Sequence, residues 1–117
     1  MKERILHLLI QQKKYRDGDY SQAKLATDLG ISTYTLSKIL RKVFGMTYTD
    51  IVHKYRIRDA IRQLKNPRKQ DYTVDDIGML VGFRNRQSFF SAFKKVTGTT
   101  PEKYRTTHNT YTYNHED

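Results

Sequence analysis

Leu25 to Thr47 reads LATDLGISTYTLSKILRKVFGMT, and Ile77 to Thr100 reads IGMLVGFRNRQSFFSAFKKVTGTT. The second stretch repeats the first, at an offset of 52 at its start (25 to 77) and 53 later (36 to 89). Leu25 corresponds to Ile77, Ala26 to Gly78, Leu29 to Val81, and Gly30-Ile31 to Gly82-Phe83. Leu36 then matches Phe89, Ile39 matches Ala92, Leu40 matches Phe93, and Arg41-Lys42-Val43 matches Lys94-Lys95-Val96. Gly45-Met46-Thr47 matches Gly98-Thr99-Thr100, and the extra residue of the second copy falls in its turn, where Arg84-Asn85 replaces Ser32.

Each copy reads as a short helix, a glycine turn and a longer helix, the parts of a helix-turn-helix. The small residue at 26 or 78 lets the second helix cross close to the first. Gly30 permits the tight turn because it enters the left-handed backbone region without a steric penalty. Ile31 and Leu36 fill the crevice between the helices, and Gly78 keeps the small size but weakens its helix by about 1 kcal/mol relative to alanine. A repeated helical hairpin that binds nothing would share this frame. It would have no need of a basic second helix, however, and both copies place cations late in that helix, at Lys38, Arg41, Lys42, Lys94 and Lys95.

Outward from the repeat, helix periodicity and capping residues account for the chain to residue 105. Residues 2 to 15 read as a helix with Ile5, Leu8 and Leu9 on one face, before Asp17-Gly18-Asp19 breaks it. Ser21 and Ser32 are N-caps for the first pair, whose second helix buries Leu36, Ile39, Leu40 and Val43 and stops at Gly45. Thr47, with Asp50 three residues on, opens a helix to about Lys65 that offers Ile51, Tyr55, Ile57, Ala60, Ile61 and Leu64 for packing. Asn66-Pro67 ends it, and a polar link over 68–72 follows. Thr73 and Asn85 cap the second pair, whose apolar residues are Ile77, Leu80 and Val81, then Phe89, Ala92, Phe93 and Val96, with Phe89 and Phe93 facing inward. Thr100-Pro101-Glu102 starts a last short helix containing Tyr104. The expectation is an all-α chain of seven helices: helix-turn-helix subdomains at 1–46 and 67–105, a linker helix at 47–66, and a disordered tail at 106–117.

Among 117 residues, 22 Lys and Arg face 12 Asp and Glu, a formal charge of +10, and 37% are apolar. A polyanion is a natural partner for such an excess, because phosphate contacts release counterions. The excess also fits a basic protein whose charge only keeps it dispersed. Cysteine is absent, which excludes disulfides, thiolate catalysis and Cys-ligated zinc and suits a reducing compartment. The N-terminus lacks signal-peptide character, and no run is long and apolar enough to span a bilayer, so a cytoplasmic, nucleoid-associated protein without membrane contact is expected. His7, His53, His108 and His115 pair with no carboxylate in a metal or base motif, and Asp75-Asp76 at a helix start is better explained by capping than by acid–base chemistry. No catalytic residue, metal, cofactor or small-molecule ligand is expected within this segment. The non-DNA alternatives are an RNA-binding helical module, which would use the same charge, and a protein-interaction module.

The chain resembles the AraC/XylS family of bacterial transcription activators in its DNA-binding region. The second half carries the more specific likeness: Ile77 to Phe83, Ser88 to Lys95, Gly98 to Pro101, and Tyr104-Arg105. The first half carries Leu25-Ala26, Gly30-Ile31-Ser32, Leu36, Leu40 and Gly45, and Tyr55 to Ala60 looks like the family's linker helix. The resemblance covers about residues 3 to 105. It implies seven helices with a long central one, binding to asymmetric double-stranded promoter sites, and contact with RNA polymerase, with activation the expected direction of regulation. Many members carry a separate sensing or dimerisation domain; a stand-alone regulator and a C-terminal fragment both fit this chain. Gly78 stands where the family usually has alanine, Ser91 where many members have arginine, and Phe90 at an often polar place.

A recognition helix presents its early exposed face to base edges in the major groove. With Leu36, Ile39 and Leu40 inward, Thr33, Tyr34, Ser37 and Lys38 face outward as base readers. Lys38 suits guanine acceptors, Thr33 and Ser37 are ambiguous readers, and Tyr34 suits a thymine methyl or a sugar, or else packing between subdomains. In the second copy Arg86, Gln87, Phe90 and Ser91 are the outward base readers: Arg86 suits guanine, Gln87 adenine, and Phe90 a thymine methyl, unless its ring is buried. Arg41, Lys42, Arg84, Lys94 and Lys95 are placed for phosphates, which set position and salt sensitivity without reading sequence. Two heads on one chain need a spacing near one DNA turn, roughly 34 Å, to meet successive major grooves, and a bent complex or partial engagement of one head is expected.

Overall fold

A computed structural model describes residues 1–107; the tail expected at 106–117 lies outside the described residues from 108 onward. All regular structure among the described residues is helical, and there are seven α-helices. They are α1 (Lys2–Leu6), α2 (Gln22–Leu29), α3 (Thr33–Phe44), α4 (Tyr48–Lys65), α5 (Val74–Leu80), α6 (Arg86–Thr97) and α7 (residues 101–107). Short 3-10 turns cover Lys14–Arg16 and Pro67–Lys69. No helix among the described residues is long and apolar enough to cross a membrane.

The caps explain where these helices start. Ser21 Oγ accepts from the Lys24 N–H at 3.2 Å, Ser32 Oγ from Thr35 at 3.1 Å, and Thr47 Oγ1 from Asp50 at 3.2 Å. Asn85 Oδ1 accepts from Ser88 at 2.8 Å, and Thr100 Oγ1 from Lys103 at 3.2 Å. Thr73 and Asp76 form a reciprocal capping box, each side chain accepting from the other's backbone N–H at 3.0 and 2.9 Å. Left-handed glycines at 30, 45 and 98 end α2, α3 and α6.

The chain divides into two compact units between Tyr55 and Arg56. In the first, Ile5, Leu9, Tyr15, Tyr20, Leu25, Ala26, Leu29, Leu36 and Leu40 form a core with Ile51 and Val52 of α4. In the second, Ile57, Ala60 and Leu64 of α4 pack with Ile77, Val81, Phe83, Phe89, Ala92 and Phe93. The stretch expected as a linker thus supplies apolar residues to each core. Within the second unit, Arg105 donates from Nη1 to the Tyr72 carbonyl at 2.5 Å and from Nη2 to that of Lys69 at 2.9 Å, tying the link before α5 to α7. Asp59 is fully buried, with Gln63 Nε2 donating to it at 3.1 Å and Arg62 Nη2 at 3.5 Å.

Two expectations need correction. The first helix does not reach residue 15: α1 widens into a π turn over His7–Gln11, closed by a Gln12 N–H to His7 carbonyl bond of 2.9 Å. Lys13 then adopts a left-handed conformation (φ 55°), and a 3-10 turn carries Tyr15 into the core. Val43, expected inward, is 41% exposed, as is its counterpart Val96 at 50%. The buried row in α3 steps by four, Leu36 to Leu40 to the half-buried Phe44, and in α6 it runs Phe89 to Phe93 to the half-buried Thr97. The valines, three residues beyond Leu40 and Phe93, fall off that row.

Candidate nucleic-acid interface

In the first unit, burial of Leu36 and Leu40 fixes the rotation of α3. Thr33, Tyr34, Lys38, Arg41 and Lys42 are then exposed, and Ser37 is half-buried. The Tyr34 ring is 69% exposed, with Lys38 Nζ 4.5 Å from its centre, so one turn of the helix presents an aromatic face and a cation together. Arg41 and Lys42 lie in the last turn, where the helix dipole also favours cations. Tyr20 supports this head from below: its hydroxyl donates to Asp28 at 2.7 Å, joining the segment before α2 to the end of α2. Burial, and then the Asp28 carboxylate, push the Tyr20 phenol well above the usual tyrosine range.

In the second unit, Phe89, Ala92 and Phe93 are the buried face of α6. Arg86, Gln87, Ser91, Lys94 and Lys95 are exposed on its outer side, and Arg84 is exposed in the turn before it. Phe90 is half-buried: its ring packs on the core of its own unit, edge-on to Phe89 at 5.8 Å, with the Arg86 guanidinium 4.3 Å from its centre. Gly78 lies where α5 and α6 approach most closely, since a Cβ there would meet Phe89 Cδ2 at 2.5 Å.

Arg86, the first residue of α6, is already held by two carboxylates. Its Nη1 donates to Asp75 Oδ1 and Oδ2 at 3.0 and 2.8 Å, and its Nη2 donates to Glu102 Oε1 at 3.0 Å. In the sequence alone, Asp75 has the position of a capping residue and Glu102 that of a helix start. Their shared partner lies 11 and 16 residues away, a separation at which no helical spacing rule applies.

In each head the exposed expected residues of the second helix lie opposite an apolar face that fixes the register, while Phe90 packs on the core and Arg84 lies in the turn before α6. No group of three or more His, Asp and Glu side chains suited to a metal occurs among the described residues. A basic second helix on a helix-turn-helix frame, made twice in one chain, defines a DNA-binding domain of a transcription regulator.

Comparison with known proteins carries the identification to a family. The helix-turn-helix domain family matches residues 25–107. The probable transcription factor PqrA of Proteus vulgaris is 32% identical over 81 residues, 69% of this chain and 64% of that protein. The HTH-type transcriptional activator AarP of Providencia stuartii is 31% identical over 81 residues, 69% of this chain and 58% of its own length. The DNA-binding domain of the global transcriptional factor AdpA, solved with a target DNA, superposes with a TM-score of 0.82 at 20% identity, covering 93% of each chain, and shares the fold. The matched segment thus spans less than two thirds of these curated relatives. This chain belongs to the AraC/XylS family of helix-turn-helix DNA-binding transcription regulators.

Proposed function

We propose that the chain activates transcription by laying α3 and α6 in adjacent stretches of major groove on one promoter duplex. The observation that carries this reading is the equivalence of the two heads. In each, a capped helix buries residues four apart, Leu36 and Leu40 or Phe89 and Phe93, and turns a polar, basic face outward. Thr33, Tyr34, Ser37 and Lys38 read bases from α3; Arg86, Gln87 and Ser91 do so from α6, with Phe90 contributing the exposed part of its ring to a thymine methyl. Arg41, Lys42, Arg84, Lys94 and Lys95 bind phosphates. The relative named as an activator supports the direction of regulation, and RNA polymerase is the partner through which activation would act, in the nucleoid of the cytoplasm.

Selection of bound duplexes from a random pool, with this protein alone, tests the reading. Two separated half-motifs about one helical turn apart are expected. A single short motif, or none, would refute two-headed reading. Arg86→Ala is expected to relax the preference at one or two base pairs, with a loss of about 1–3 kcal/mol of discrimination. An unaltered selected motif in that variant would remove Arg86 from the base readers.

A further inference from the structure

We infer that Asp75 and Glu102 are specificity-determining positioning residues, which clasp Arg86 so that it takes a neutral base edge and refuses phosphate. The inference rests on Arg86 facing bases, as proposed above.

Arg86 is restrained from three sides. Asp75, in the first turn of α5, accepts with both oxygens from Nη1; Glu102, in the first turn of α7, accepts from Nη2; and the Phe90 ring lies against the guanidinium. Capping does not account for Asp75, because the neighbouring Asp76 completes the capping box with Thr73. An arginine at the first position of a helix faces the positive end of the helix dipole, an unfavourable place that the two carboxylates offset. The three side chains are about half exposed, at 57% for Arg86, 48% for Asp75 and 59% for Glu102, so the clasp stands on the surface that a duplex would meet.

The chemistry of such a group differs from that of a free arginine. A lone surface guanidinium beside DNA pairs with phosphate, which carries no sequence information. Held by two carboxylates, the group has a net charge of minus one and repels phosphate. Guanine presents O6 and N7, which are uncharged acceptors. Arginine has five N–H donors. The clasp bonds through Nη1 and Nη2 and not through Nε, so Nε with the remaining Nη2 N–H can serve those two acceptors.

The test measures binding of the full chain to the selected duplex and to a scrambled duplex by fluorescence anisotropy across a salt series. The proteins are the wild type, Asp75→Asn, Glu102→Gln, the double variant, Arg86→Ala, and Arg86→Ala combined with the double variant. Asp71→Asn, an exposed acid outside the clasp, controls for charge alone, and melting curves confirm the fold of each. The double variant is expected to bind scrambled duplex roughly 3- to 10-fold more tightly, with a salt slope steeper by about one. Its ratio of selected to scrambled affinity falls by a similar factor, each single variant falls part-way, and Asp71→Asn leaves the ratio unaltered. In the Arg86→Ala background, removing the carboxylates leaves the ratio unaltered. If Arg86→Ala lowers the ratio and the double variant does not, the clasp is overturned and base reading stands. If the carboxylates lower the ratio without Arg86 present, or as Asp71→Asn does, the clasp is likewise overturned. If Arg86→Ala leaves the ratio unaltered, base reading fails and the clasp falls with it.

Discussion

Phe89 is wedged among the rings of Phe83, Phe90 and Phe93, with centres 5.3, 5.8 and 5.9 Å away, and it closes the space over Gly78. Alanine at position 78 would gain about 1 kcal/mol of helix propensity. The buried ring has little room to yield, however, and overpacking costs about 1–3 kcal/mol. Gly78→Ala is therefore expected to lower the urea midpoint, and a raised midpoint would mean that Phe89 slides aside freely. Tyr20 makes a different prediction. Its phenol is held neutral by burial and by Asp28, so its folded pKa lies above the unfolded value of about 10. Its contribution is complete below that pH and is lost as pH rises through and above it. Tyr20→Phe should cost about 0.5–1.5 kcal/mol at pH 7 through loss of the hydrogen bond to Asp28. It should also lose less stability than the wild type between pH 9 and 11; parallel alkaline limbs in the two proteins would contradict this. Tyr20 is buried without a helical spacing to mark it, because it stands between the turn residues Asp17-Gly18-Asp19 and the cap Ser21.

At the scale of elements, starts were legible and some ends were not. Ser21, Ser32, Thr47, Thr73, Asn85 and Thr100 all cap the helices expected of them, because an N-cap is a one-residue signal read by an N–H three residues on. The π turn after α1 has no such one-residue signal, although Leu9 within it and Tyr15 after it are both in the core. The inward face was legible over the first two turns of α3 and α6, and failed at Val43, where the choice between steps of three and four decides the face. The outer faces followed from those registers, whereas the clasp on Arg86 joins three elements and has no local mark. Asn85 gives the test at this scale. Its cap orders the turn from which Arg86 and Gln87 project, so Asn85→Ala should cost about 1 kcal/mol of stability. It should also weaken selected duplex more than scrambled duplex. Equal weakening of both would show that the cap supports the fold without orienting the readers.

For the molecule as a whole, the excess of ten positive charges and the reading of bases are separable contributions to one binding free energy. Phosphate contacts contribute to every duplex and fade as salt rises, by about 0.9 in the log–log slope for each phosphate neutralised. Contacts to base edges differ between duplexes and depend far less on salt. Lys94 and Lys95, late in α6 and exposed, belong to the first kind. Lys95→Ala should therefore weaken selected and scrambled duplexes by the same factor and flatten both salt slopes by about one. Arg86→Ala should do the reverse, lowering the affinity ratio and leaving the slope for selected duplex nearly intact, because the clasped guanidinium neutralises no phosphate. A Lys95→Ala protein that changed the ratio would place that side chain against a base, and would mean that α6 enters the groove further along its length than the cap at Asn85 implies.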